Sequence, residues 1–136
     1  MKSIESFSLQ RSSNENALKS ALLRDGNNTD ISIHGYQITE QFESEHYYIL
    51  FANYDCPFEE SCEITILNRQ LKPVGHKSIG VWYQSFSLES VESLGNDEFR
   101  LVFYKDTKFQ LFVNYPRKFR WTFRGWQTFR LKNLSD

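Results

Sequence analysis

Three histidines, two cysteines and a local run of carboxylates are the residues here whose chemistry goes beyond packing. His34, His46 and His76 have no compact metal-ligand spacing. A histidine brought to a carboxylate by the fold would make an acid–base pair. Cys56 or Cys62 brought to a histidine would make a nucleophile. The local sequence holds no nucleophile elbow, zinc signature or paired-acid motif, so the histidines read as structural or surface residues. Cys56 and Cys62 flank the segment PFEES. They read as two reduced cysteines beside a turn, with a small disulfide loop as the alternative in an oxidising compartment. No metal or cofactor is expected. The glycines are dispersed, no phosphate-cradling loop is present, and no EF-hand spacing occurs.

Two charged clusters are the candidate binding residues. Asp55, Glu59, Glu60 and Glu63 gather around the cysteines and would present carboxylates to a basic partner. Lys118, Arg120, Trp121 and Arg124, with Arg130 beyond them, form a basic and aromatic segment. On an extended strand Lys118, Arg120, Thr122 and Arg124 point opposite to Phe119, Trp121 and Phe123. Such a row would contact phosphates or an acidic protein. Binding of RNA or single-stranded DNA would also need exposed stacking groups.

The elements that must position these residues read as mainly β, or α+β by strict count. Residues 1–11 are a flexible arm or an edge strand. Residues 13–25 carry the helical signal. Ser12 and Glu15 form a capping box, Ala17, Leu18, Ala21 and Leu22 line one face, and Gly26 suits the C-terminal cap. From residue 31 to 132 the apolar period is two. His46–Asn53 and Glu63–Leu67 read as core strands, as do segments around Phe99–Phe103 and Phe109–Val113. Crossover helices are missing, so the strands should run antiparallel. The expected fold is an antiparallel meander forming a partly open barrel or a two-layer sandwich, with one N-terminal helix, as a single domain over 1–136.

Composition bounds the function. The chain has 136 residues and a formal charge of -1, from 16 basic and 17 acidic residues. That balance hides an asymmetry: residues 1–98 hold 7 basic and 15 acidic side chains, and residues 99–136 hold 9 and 2. A hydrophobic content of 40% argues against disorder. No apolar stretch approaches the length of a membrane span, and the first residues lack a secretory core, so a cytoplasmic protein is expected. These features favour a non-catalytic protein-binding or inhibitory module, such as a toxin-neutralising immunity-like protein acting by steric occlusion. Nucleic-acid binding through the C-terminal segment is the first alternative. A small β-barrel enzyme or small-ligand binder is the second.

Overall fold

The computed structural model describes residues 1–14, 17–55, 61–80, 88–95, 97–103, 107–115 and, by backbone alone, 129–133. These residues contain strands and turns, and no helix is found among them. The strands fall into two compact units, residues 2–86 and residues 87–136.

The first unit holds eight strands. They are β1 (Lys2–Ser3), β2 (Phe7–Arg11), β3 (Lys19–Arg24), β4 (Asn27–His34), β5 (Gln37–Glu43), β6 (Tyr47–Asn53), β7 (Ser61–Asn68) and β8 (Pro73–Gly80). They make a five-stranded sheet, β1-β5-β6-β7-β8, and a three-stranded sheet, β2-β3-β4, both antiparallel. Neither sheet closes on itself, which rules out a barrel built from either.

The expected N-terminal helix is absent, and Lys19–Arg24 form strand β3 in its place. Ser12 Oγ accepts the Asn14 N–H at 3.1 Å, but no helix follows it, and β3 starts at Lys19. The helical stripe also fails to find a core, since Leu22 is fully buried while Leu18 is 59% exposed. Burial instead alternates along β3, with Ser20 and Leu22 inside and their neighbours partly or fully outside. Asp25 and Gly26 both have positive φ, 51° and 83°, and Arg24 pairs directly with Asn27. That is the two-residue type I′ turn which Asp-Gly strongly favours. Gly26 therefore closes a β-hairpin and caps no helix. Tertiary burial with period two outweighed a modest helical propensity.

The core explains the stacking of the two sheets. Phe7, Leu22 and Ile33 of the small sheet pack with Tyr48, Leu50 and Leu67 of the large one. Leu71, in the β7–β8 turn, packs against the same cluster. Gln41 ties the sheets together with a side chain: its Oε1 accepts the Phe7 N–H at 2.8 Å, and its Nε2 donates to the Phe7 carbonyl at 2.9 Å. Satisfying both backbone groups removes two desolvation penalties at once. On the opposite face of β6 and β7, Tyr47, Ile49, Phe51, Cys62, Ile64 and Ile66 are buried as well.

The chain crosses from the small sheet to the large one at Gly35. Its φ is +117°, and a Cβ there would meet the Ala52 Cβ at 2.7 Å. Only glycine fits both the dihedral and the space. The buried Ser20 hydroxyl donates to the Gly35 carbonyl at 2.6 Å, and the Gly35 N–H donates to Leu18 O.

The second unit is an antiparallel meander, in the order β12-β11-β10-β9. Its strands are β9 (Leu88–Gly95), β10 (Glu98–Phe103), β11 (Thr107–Val113) and β12 (Phe129–Asn133). Phe99, Leu101, Phe103, Leu111 and Val113 are buried on one face, as the alternation predicts. Phe103 meets Phe109 edge-on at 5.5 Å.

Candidate functional site

Both ends of the residue 2–86 unit carry polar clusters. At one end, β6 and β7 pair Ala52 with Glu63, and at the other they pair Tyr48 with Leu67. The ladder thereby separates the two clusters by the length of a strand.

The Glu63 end gathers titratable groups from three strands and a loop. Glu63 is only 5% exposed, on the same face of β7 as Thr65. His76 on β8 lies one diagonal away, because it pairs with Thr65 while Glu63 pairs with Ser78. The His76 Nε2–H donates to Glu63 Oε2 at 3.0 Å. Ser61 Oγ makes a longer contact to Oε1, at 3.5 Å. The Tyr54 hydroxyl, just past β6, also donates to this carboxylate. His34, at the end of β4, stacks on His76 with ring centroids 4.1 Å apart and planes at 14°. The two histidines thus join the small sheet to the large one. Behind them, Tyr36 meets Tyr54 edge-on at 4.9 Å, and the Arg11 guanidinium lies 3.9 Å over the Tyr36 ring.

The electrostatics follow from burial. Desolvation holds the His34 pKa below 6.5, the His76 and Lys19 charges add to that, and Glu63 opposes it. Burial, the Glu63 charge and the hydrogen bond to it push the Tyr54 hydroxyl far up, so it stays protonated. Cys62 carries a free, buried thiol, pushed up to about 12 by burial and then by Glu63. A thiol so raised is a poor nucleophile. As the residue before Glu63 on β7, it also projects from the opposite face of the sheet. The stacked imidazoles have parallel planes, so their in-plane lone pairs do not converge on one ion. Among the described residues no group of three potential ligands gathers to hold a metal.

The other end uses permanent charge. Tyr48, 2% exposed, meets Phe7 edge-on at 5.1 Å. The Arg69 guanidinium lies 4.5 Å from the Tyr48 ring centre, and that of Arg24 lies 5.5 Å from it and 5.8 Å from Phe7. Arg24 Nη2 donates to the Tyr48 hydroxyl at 3.2 Å. Arg69 Nη1 donates to Glu43 Oε2 at 3.1 Å and to the Ser44 carbonyl at 3.2 Å.

The residues singled out from sequence are distributed as follows. Asp55 is exposed, with a left-handed backbone and its N–H donated to Asn53 Oδ1. Glu63 is turned inward to His76 and Tyr54 and does not share an exposed acidic face with Asp55. Arg130 stands in β12 opposite Phe112. Glu59, Glu60, Lys118, Arg120, Trp121 and Arg124 lie outside the described residues, as does Cys56. His46 is exposed beside Glu45. The sequence reading passed over Tyr54, Arg24, Arg69 and Tyr48, and left His34 and His76 unpaired. Alternation placed Glu63 on a strand and left His76 after a turn, whereas β8 starts at Pro73 and only the β7–β8 register brings the two together.

Among the described residues no helix is long and apolar enough to cross a membrane. No family model matches the chain, and no curated protein or solved structure matches it.

Proposed function

We propose that this chain is a non-catalytic binding module that acts on a partner protein by steric occlusion, in the manner of a toxin-neutralising immunity protein. One observation carries the reading. The buried carboxylate that would drive acid–base chemistry is already bonded to His76 and Tyr54, and the Ser61 hydroxyl contacts that carboxylate too. The described thiol is buried and protonated on the opposite face. Among the described residues every buried side-chain polar atom has a partner, as in a rigid scaffold. Arginine and tyrosine, which dominate binding energy at protein interfaces, are held in place by cation–π contacts at both ends of the residue 2–86 unit.

The test is capture from native extract on the immobilised full chain, with and without nuclease. The captured protein is then purified and titrated against the chain. A saturable protein complex that survives nuclease supports the reading. Capture abolished by nuclease transfers the function to nucleic acid, and no recoverable protein refutes the partner.

A second reading has one observation in its favour. His76 is backed by Glu63 and its side chain is one-third exposed, as suits a small-ligand or acid–base site. Ligand-induced thermal stabilisation that disappears in His76→Ala would favour it over the first.

A further inference from the structure

We infer that the Arg24–Tyr48–Arg69 end of the residue 2–86 unit is an anchor for a side-chain carboxylate of the partner protein. This rests on the binding-module reading and names the chemistry at its contact. Three observations converge on it.

First, the guanidiniums are pre-positioned. Phe7 and Tyr48 form a buried aromatic platform, and both arginines lie on it. Holding a long side chain before contact removes much of the ordering cost of binding. Second, the donors are not exhausted. Arg69 is engaged through Nη1 by Glu43 and Ser44. Arg24 is exposed, and among the described residues its hydrogen bond goes to the Tyr48 hydroxyl and it has no carboxylate within ion-pair distance. A guanidinium has five N–H donors in a planar fork, so a bidentate edge remains. The Tyr48 oxygen accepts from Arg24, which leaves its own proton to donate. Third, the charge suits a monoanion. Two guanidiniums and the Glu43 carboxylate leave one net positive charge. A phosphate dianion would add repulsion from Glu43, whereas a planar carboxylate matches both the charge and the fork.

The anchor is tested on the isotopically labelled full chain by NMR, reading the Nε–H signals of Arg24 and Arg69. Sodium acetate is the probe, with sodium chloride at matched ionic strength as the control. Acetate should produce a saturable shift at both Arg24 and Arg69 in the millimolar range, as expected for so small a ligand. Chloride should not. Arg24→Lys, read at the remaining Arg69 Nε–H signal, should weaken the acetate response about ten-fold, because an ammonium cannot make the bidentate contact. Arg100→Lys, an exposed arginine of the second unit, should leave it unchanged. Equal shifts with acetate and chloride, or a full response in Arg24→Lys, would overturn the anchor.

A second arm uses the captured partner, for which Arg24→Lys should lower affinity about ten-fold. Undiminished partner affinity overturns the anchor and leaves the binding-module reading standing. Absence of any protein partner, with the acetate response intact, overturns the reading instead and removes the anchor's role with it.

Discussion

The two ends of the residue 2–86 unit solve one problem by different chemistry. Each must finish a layered core with polar groups that bridge the small sheet and the large one. At the Tyr48 end the bridging contacts belong to Arg24, which reaches from β3 to the Tyr48 hydroxyl and ring, beside Arg69 on the same ring. At the Glu63 end they belong to two stacked imidazoles and a buried carboxylate. The first end holds a partly exposed ion pair and is therefore sensitive to salt. The second is sensitive to pH and, being more deeply buried at its carboxylate, less sensitive to salt. One fold can thus hold a salt-sensitive contact and a titrating one at opposite ends of the same strands.

Mutations can break this comparison. The largest effect should come from Gly35→Ala, next to His34. A Cβ forced against Ala52 at a φ of +117° combines overpacking with backbone strain, each costing about 1–3 kcal/mol. Denaturant unfolding should show a loss near the sum of the two. A loss under about 1 kcal/mol would mean the β4–β5 crossing relaxes easily.

Glu63→Ala should follow, at about 1–3 kcal/mol, because His76 and Tyr54 lose their acceptor in a mostly buried place. Glu63→Gln should cost less, and an equal cost for both would assign the effect to charge rather than to hydrogen bonding.

The pH dependence sharpens the contrast between the ends. In the folded protein His34 has a pKa below 6.5, so below that pH the unfolded chain binds more protons. Its contribution to stability is therefore complete above about pH 6.5 and is lost as the pH falls. Thermal unfolding should show this slope in the wild type, and His34→Phe, which keeps a stacking ring without the titration, should flatten it. Glu63→Gln should deepen the loss, since Glu63 is the group that supports protonation of His34.

The smallest effect belongs to Arg69→Ala. Its pair with Glu43 is partly exposed, so the ion-pair contribution is about 0.2–1 kcal/mol and should shrink further in high salt. A salt-independent loss would instead assign Arg69 a packing role on Tyr48.

Much of the β architecture was legible along the chain. Glu63–Leu67, Phe99–Phe103 and Phe109–Val113 alternate in the way a strand requires, His46–Asn53 carries the unbroken apolar run of a strand buried on both faces, and each lies within or across a strand of the structure. The misreading at 13–25 shows where one-dimensional pattern fails. Ala17, Leu18, Ala21 and Leu22 satisfy a helical stripe, and Ser20 with Leu22 satisfies a strand equally well. The Asp25-Gly26 pair was the signal that separates the two cases, because its type I′ turn commits the flanking residues to a hairpin. The sites were less legible. Tyr48, Arg24 and Arg69 are ordinary residues by type, and they become a cluster only when β2, β3, β6 and the β7–β8 turn meet.

By itself the amino-acid sequence determined that this protein would be built from antiparallel strands, because the alternation of apolar and polar residues and the lack of crossover helices are properties of the chain alone. It also determined the tight turn at Asp25-Gly26, where the residue types select the backbone angles. Tertiary structure decided the chemistry. His34 and His76 stand 42 residues apart, and Glu63 lies between them in sequence. Whether those three side chains touch depends on sheet register and on which sheet covers which. Register is set by burial summed over both layers, a quantity no single segment contains.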